Sequence, residues 1–522
     1  MYLNYNINQL TLNLSTEFIP KENHVACFIN ELVESLQIHD PYLFGRPREY
    51  DLSAMLKLVL FAYTRETFTS RKIQRLAEEN IYARWLTQES EPSYRTIARF
   101  CVSKDVEELT SKGLDSLIHY LRERNLIDDT LFIDGTKILA DANKFSFVWK
   151  KNTLRFDQMN REKILMLMAE FQEAYEVKHI PEGSNLTLDL LDELLTRMEL
   201  RLEELEKEVA ETEKISPNSA KQQRRTLKTQ KRKLSERREK MAEHQTQMSI
   251  YGTRNNYSKT DKEATFMRVK EDHMMNGQLK PAYNLQIATC KQFVLGYDVF
   301  QNPTDTKTLP PFLKKMKLDE QSAHYIVADA GYGSESNYRY LEEELSQHTV
   351  LIPYGTMLKE QSKKWQSDER KVMNWTYFEE DDYYIDPKGV RFNFHAYRQR
   401  TDKDGFVRDF KEYQAEKIGA HLQNIPEALT AKGYVRKILV NPAWEYYKAK
   451  QREMLSDEVT GKIYARRKID VETVFGKMKA CLGFTRYTVR GLEKVRKQSG
   501  ILIIALNMMK LATLNRKKER YT

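Results

Sequence analysis

Two short apolar runs in this chain each stop at an aspartate followed by small residues. Leu131, Phe132 and Ile133 lead into Asp134 and Gly135, and Ile326, Val327 and Ala328 lead into Asp329, Ala330 and Gly331. Runs this short, bounded by turn formers, fit strands rather than helices, and each strand delivers its aspartate to its C-terminal end. Between them, "AYNLQIATC" and "FVLGYDVF" (Phe293 to Phe300) form a hairpin candidate, and "TLPPFLKKMKL" reads as a helix with prolines in its first turn. "TVLIPY" from Thr349 is a fifth strand. Strand, hairpin, helix, strand, helix, strand specifies an open mixed sheet flanked by helices. If the two Asp-bearing strands are neighbours, both carboxylates emerge at one sheet edge. Each also has a plainer reading as a turn cap.

A third carboxylate stands in "YARRKIDVETVFGKMK", from Tyr464 to Lys479. At helical spacing Val471, Val474, Phe475, Met478 and Leu482 form an apolar stripe with Glu472 at its edge, and Lys468 and Lys479 share the face of Glu472. A solvated helix face with ordinary ion pairs is the bland alternative. Asp470 competes with Glu472 but lies about 200° away around the helix, so both cannot face one site. Asp128, Asp129 and Asp141 similarly surround Asp134. A helix packed across the sheet would bring Glu472 to Asp134 and Asp329. Three carboxylates together repel one another unless they hold a hard cation such as Mg²⁺, with Mn²⁺ as substitute. Two such ions suit in-line phosphodiester displacement.

The first 125 or so residues read as helices, among them "DLSAMLKLVLFAYTRE" after an Asp51 cap. "PSYRTIARFCVS", carrying Arg95 and Arg99, suits either a helix-turn-helix reader of DNA or a small helical bundle. Two segments interrupt the sheet plan. From about Lys150 to Tyr251, Leu191, Leu195, Met198, Leu202, Leu205 and Val209 form a heptad seam, and after the breaker "ISPNS" Leu227, Leu234, Met241 and Met248 repeat every seven, predicting an antiparallel helical hairpin. From about Gly355 to Ser456, aromatic-rich alternating runs flank an Asp-Pro-Lys-Gly turn at Asp386, predicting a β-subdomain whose aromatic and arginine side chains also suit a nucleic-acid backbone.

Net charge is +9, and the excess is concentrated: residues 220–240 carry ten basic against two acidic side chains, as do residues 484–522. Such stripes suit a polyanion, although the first hairpin arm, with nine acids against four bases from Leu191 to Lys214, is a ready partner for the basic second arm. Four scattered cysteines, with no CxxC pair, predict neither a zinc site nor a disulfide framework and fit a reducing cytosol. "MYLNYNINQLTLNLS" lacks the pattern of a secretory leader. "GILIIALNMMKLATL", broken by Asn507 and Lys510, reads as a buried helix rather than a membrane span.

Four of these segments, "FIDGTKILADANKF", "SKTDKEATFMRVK", "VADAGYGSESN" and "YARRKIDVETVFGKMKACLGFTRYTVRGLEKV", together resemble the DDE transposases of bacterial insertion sequences. The resemblance covers nearly the whole chain and points to the branch with a helical N-terminal domain and a Tyr, Arg, Glu, Lys signature on the helix of the third acid. It implies an α/β fold with an RNase H-like mixed sheet flanked by helices. To this are added a helical N-terminal domain (1–125), an inserted helical, coiled-coil hairpin (150–251) and an inserted β-rich subdomain (355–455). The core would then comprise 126–149, 252–354 and 456–522. It also implies Asp134, Asp329 and Glu472 as catalytic, metal-holding residues, with Tyr464, Arg467 or Lys468, and Lys479 as the signature. Counting back from Glu472, the pattern's Tyr falls on Ala465 and its Arg on Lys468, while Tyr464 and Arg467 stand one residue early. Many relatives carry a cysteine cluster where this chain has "YQAEKIGAHLQ", so no structural zinc is expected.

The activity implied is cleavage at the terminal inverted repeats of the element and joining of the freed 3′-hydroxyls to target DNA. Lys468 and Lys479 would hold phosphates, and Arg95 and Arg99 would read the ends. A dimer on DNA in the bacterial cytoplasm, associated with the nucleoid and with no membrane, is expected. The rivals are an RNase H-like nuclease without strand transfer and a catalytically silent domesticated DNA-binding protein.

Overall fold

The computed structural model describes residues 18–38, 49–175, 185–211, 219–269, 277–316, 318, 323–417 and 425–521. The leader reading of residues 1–15, the breaker from 215 to 218 and most of the cysteine-free stretch from 418 to 423 lie outside them. In chain order the helices α1 to α6 are Val25–Ser35, Leu52–Thr64, Ser70–Glu79, Ile81–Thr87, Tyr94–Cys101 and Lys104–Glu123. Strands β1 (Thr130–Leu139) and β2 (Phe147–Trp149) precede helices α7 (Lys150–Tyr175), α8 (Leu188–Glu211) and α9 (Ser219–Tyr251). Next come β3 (Asn256–Ser258), β4 (Thr265–Arg268), β5 (Leu279–Cys290), β6 (Phe293–Phe300), α10 (Leu309–Met316), β7 (Tyr325–Ala328), α11 (Glu335–Glu344) and β8 (Thr349–Leu351). The short helices α12 (Met357–Glu360) and α13 (Lys363–Gln366) lead to β9 (Thr376–Phe378), β10 (Tyr383–Ile385), β11 (Arg391–Thr401), β12 (Val407–Ala415) and β13 (Lys437–Val440). Helices α14 (Pro442–Ser456), α15 (Glu458–Ala465), α16 (Thr473–Gly476) and α17 (Leu492–Tyr521) complete the chain.

These elements divide into two compact units, one drawn from 1–138, 284–488 and 493–522, the other from 139–283 and 489–492. The boundary falls within β1 and β5. In the first unit the sheet runs β6-β5-β1-β7-β8. β1, β7 and β8 are parallel, and β7 pairs with β1 from Thr130↔Tyr325 to Ile133↔Ala328. β5 and β6 are antiparallel, joined as expected by a two-residue turn in which Lys291 and Gln292 both take positive φ (47° and 67°). The mixed sheet flanked by helices is thus present, with the two Asp-bearing strands side by side.

The helical N-terminal segment owes its starts to caps: Asp51 accepts from the Ala54 amide (3.0 Å), and Ser93 and Ser103 cap α5 and α6. α17 is buried along residues 501–506, and its two polar interruptions are satisfied. Asn507 both donates to the Val294 carbonyl and accepts from its amide, each at 2.8 Å, and Lys510 reaches Gln292. The β-rich segment forms a separate antiparallel sheet, β13-β12-β11-β10-β9, around Trp375, Val390, Phe392 and Tyr413. Its predicted turn is there: Asp386 accepts from the amides of Lys388 and Val390, and Gly389 takes φ 81°.

In the second unit, segment 150–251 holds three helices where two arms were expected. α9 packs against both α7 and α8 through Leu227, Leu234 and Met241, which meet Ile164 and Met168 on one side and Leu191, Leu194, Met198 and Leu205 on the other. A third partner widens the buried stripe beyond a two-helix seam, so Leu194 is buried while Leu195 and Leu202 are only partly so. Lys231 and Arg238 of the basic arm pair with Glu199 and Asp192 of the acidic one.

Candidate active site

The site grows out of the β1/β7 register. Ile133 and Ala328 are the last paired residues of two parallel strands, so Asp134 and Asp329 follow as the next pair. Parallel strands lie about 4.8 Å apart, and paired residues point to the same face, so the two carboxylates are held as neighbours. Burial, reinforced by Asp329, pushes the Asp134 carboxyl up to about 6. Two interactions oppose that shift: the Gly135 amide donates to Oδ1 (2.7 Å) and the Arg467 guanidinium to Oδ2 (3.1 Å). Asp329 accepts from the Gly331 amide (2.8 Å) in the turn that follows its strand. The turn-cap reading thus holds for Asp329 alone: β1 runs on through Asp134 to Leu139, so Asp134 does not end its strand as expected and takes an amide of that strand instead of capping a turn.

Beneath the pair lies a polar network that sequence reasoning missed. Asp305 accepts from Asn284 (2.7 Å) and Gln286 (3.0 Å), both fully buried on β5, and Tyr332 donates to Gln286. Asp305 also adds to the repulsion on Asp134. A polar Asn and Gln at buried positions of an otherwise apolar strand were the available signal. Gly135 is demanded by this packing, since a Cβ there would sit 2.1 Å from Gln286 Nε2.

The signature helix meets the same strand at two places. Arg467 reaches Asp134, and Lys479 Nζ donates to the Lys137 carbonyl (3.1 Å). Tyr464 hydrogen-bonds Arg467 and feels both Asp134 and Asp329; its hydroxyl is raised mainly by burial. Glu472 lies between these contacts along the helix and is exposed, as is Lys468. Asp470 points elsewhere: it is buried and accepts from the Gln292 amide (2.9 Å), while Arg466 pairs with Asp128 (2.8 Å). Burial tends to raise Asp128, but Arg466 and Cys290 hold its carboxyl below the ordinary range. Between Arg467 and Thr473 the backbone makes a π-helical turn, Lys468–Glu472, and a second one spans Lys477–Cys481. Among the described residues, no group of three or more His, Cys, Asp or Glu side chains is gathered closely enough to hold a metal ion. The structure therefore brings Asp134, Asp329, Arg467 and Tyr464 together and leaves Glu472 on the adjoining helix. As donors, two adjacent carboxylates that repel each other fit a hard divalent cation.

Arg95 and Arg99 lie elsewhere in the first unit. They line a cleft of about 600 Å³ with Thr69, Ser70, Arg71 and Tyr94, between the start of α3 and the face of α5. Arg71 and Arg95 both lie over the Tyr94 ring, at 5.2 and 5.8 Å. Arg71, Arg95 and Arg99 are all exposed, and Arg71 was not singled out from sequence. The tip of the β11–β12 hairpin docks beside the Asp329 loop. There Lys307 pairs with Asp404 (2.7 Å), Arg408 with the buried Glu335 (3.3 Å), and Arg339 lies over Phe406.

A family model described as a transposase DDE domain matches residues 255–508, and one described as a transposase domain (DUF772) matches residues 14–103. The first span includes Asp329 and Glu472; Asp134 lies outside both. No curated protein and no solved structure matched. Matched by these two transposase models along its N-terminal helices and across the span that holds Asp329 and Glu472, the chain belongs to the DDE-type insertion-sequence transposases.

Proposed function

We propose that this protein binds the terminal inverted repeats of its element, cuts phosphodiester bonds there with divalent metal, and joins the freed 3′-hydroxyls to target DNA. The observation that carries the reading is the pair Asp134 and Asp329, each the residue that follows the last β1/β7 pair of neighbouring parallel strands, with burial and Asp329 raising the Asp134 carboxyl to about 6. The strand order β6-β5-β1-β7-β8, with three parallel strands and an antiparallel hairpin, supports an RNase H-like core.

Asp134 and Asp329 would hold Mg²⁺ or Mn²⁺, with Glu472 as the third carboxylate from the signature helix. A bound divalent ion supplies activation of the attacking oxygen and stabilisation of the leaving one. The protein's own side chains do the rest. Arg467 fixes the Asp134 carboxylate, the Gly135 and Gly331 amides orient the two aspartates, and Lys479 ties the helix to β1. Lys468, exposed on the same helix, suits a phosphate contact, and Tyr464 packs against Arg467. The Arg71, Arg95 and Arg99 cleft suits the backbone of the terminal repeat. The docked β11–β12 tip supports a rim for DNA at the Asp329 side. Pairing two ends requires two copies of the chain, so the working form is a dimer on DNA.

The test is cleavage of labelled duplex carrying the sequences that flank the gene, with Mg²⁺ or Mn²⁺, comparing the unaltered protein with Asp329→Asn and Glu472→Gln. Metal-dependent cuts at the repeat ends, followed by joined products and lost in both variants while binding persists, support the proposal. Cutting without joined product would instead identify a nuclease. Binding without cutting by the unaltered protein would leave recognition alone.

A further inference from the structure

The signature helix touches β1 through residues that a regular α-helix would not put on one face. Counting at 100° per residue, Lys479 stands within about 20° of Glu472, but Arg467 stands about 140° away, and Lys468 takes the place one turn before Glu472. In the structure it is Arg467 that bonds Asp134, while Lys468 is exposed. The difference lies in the five residues between them. Lys468–Glu472 is a π-turn, and closure from residue i to i+5 lays residues five apart nearly one above the other. One residue is thereby absorbed, and Arg467 comes round to the face of Glu472.

The surroundings hold that bulge in place from both flanks. On one side Arg467 is fixed to Asp134, and on the other its neighbour Arg466 is fixed to Asp128 and Asp470 to the Gln292 amide. Consecutive arginines with partners at positions 128 and 134, at the two ends of β1's apolar run, leave the helix no freedom to rotate between registers. Ile469, inside the turn, is an apolar side chain left 68% exposed, while Val471 and Val474 beyond it are buried. That is the mark of a residue extra to the helix's packing.

We infer that the π-turn at Lys468–Glu472 is a register device that absorbs one surplus residue, making Arg467, and not Lys468, the positioning residue for the Asp134 carboxylate opposite Glu472. The inference rests on the transposase reading for its catalytic consequence, but its geometric content stands apart from it. Removing Ile469 converts the π-turn to a regular α-turn and leaves Tyr464, Arg467, Glu472 and Lys479 where they are. A helix whose register ran through Lys468 would instead be turned by one residue.

The experiment uses the full chain in four forms: unaltered, with Ile469 deleted, Arg467→Ala and Lys468→Ala, with Arg467→Lys as the conservative control. End cleavage in Mn²⁺ is expected to survive the deletion within about tenfold. It is expected to fall about 100-fold or more in Arg467→Ala, to recover in part in Arg467→Lys, and to fall at least about tenfold less in Lys468→Ala, which loses a phosphate contact but leaves the Asp134 carboxylate positioned. A deletion variant that unfolds at the unaltered temperature and binds the repeats but has lost cleavage overturns the inference. So does a larger loss from Lys468→Ala than from Arg467→Ala. Should the deletion fail to fold, the Arg467 and Lys468 comparison decides alone. If the unaltered protein binds repeats and never cuts, the transposase reading fails. The inference is then read from a double-mutant cycle in denaturant between positions 134 and 467, with coupling supporting it, and none, or coupling of Asp134 to Lys468 instead, refuting it.

Discussion

Burial and the adjacent Asp329 push the Asp134 carboxyl up to about 6, against 3.8 for a free aspartate, and this has a direct consequence for stability. A folded-state value above the unfolded one gives a contribution that is fully present below 3.8 and lost as pH rises through 6. Above that window the metal-free protein carries an ionised carboxylate it disfavours. Asp134→Asn is therefore expected to stabilise the metal-free protein at about pH 7.5 by on the order of 2 kcal/mol, with a much smaller effect near pH 4. Added Mg²⁺ should raise the unfolding temperature of the unaltered protein more above pH 6 than below it, and should do less for the variant. Denaturant titrations at the two pH values check the sign; greater destabilisation at pH 7.5 than at pH 4 would contradict it. The neighbouring glycine is under a different constraint. In Gly135→Ala the new Cβ meets Gln286 at 2.1 Å and Asp305 at 2.7 Å, within a buried amide network that cannot move without losing its own hydrogen bonds. A loss of about 1 to 3 kcal/mol is expected by urea denaturation, with cleavage impaired beyond what lost stability explains.

Elements whose chemistry is local were legible in the sequence, and elements set by a partner were not. The two Asp-bearing strands, the Lys291-Gln292 hairpin and the Asp386 turn could be read because apolar runs and turn formers act within a few residues, although β1 runs past Asp134 to Leu139 where Gly135 had suggested a stop. The pairing of Ile133 with Ala328, which makes neighbours of Asp134 and Asp329, could only be supposed, since nothing in either strand names its partner. The third helix α7 was missed because its buried face begins with the polar Thr153 and Asn160, and only the short run Ile164, Met168 and Phe171 follows at heptad spacing. The π-turn was invisible for a plainer reason: any count along the helix presumes 3.6 residues per turn, so Tyr464 and Arg467 looked misplaced. Asn507 was legible only as an interruption of an apolar helix. Its side chain replaces a missing strand partner for both polar atoms of Val294, so Asn507→Ala leaves two buried backbone groups unmet. The expected cost is about 2 to 4 kcal/mol in urea unfolding. Asn507→Asp should cost at least as much, because a carboxylate cannot donate to the Val294 carbonyl; a neutral result in both would mean water replaces the side chain.

For the molecule as a whole, net charge says less than where the unpaired cations stand. Of the basic stripe in α9, Lys231 and Arg238 are engaged by the acidic arm, as composition had suggested, so the stripe's ten cations overstate its pull on a polyanion. Arg71, Arg95 and Arg99 are fewer, but they converge on one cleft around Tyr94, far in sequence from the carboxylates. Arginine held over an aromatic ring is preorganised, so little rotamer freedom is lost when a phosphate arrives. Replacing all three with alanine should therefore weaken binding of the terminal-repeat duplex at low salt and flatten the dependence of log K on log salt by about 3 in slope, close to one unit for each phosphate contact removed. Thermal unfolding should hardly change, since the three side chains are exposed. Fluorescence anisotropy of labelled duplex across a salt series measures both slopes in one experiment. If the triple variant loses affinity equally at every salt concentration, the arginines contact base edges or one another rather than phosphates. If affinity and slope are both unchanged, DNA is held elsewhere and the cleft has another role.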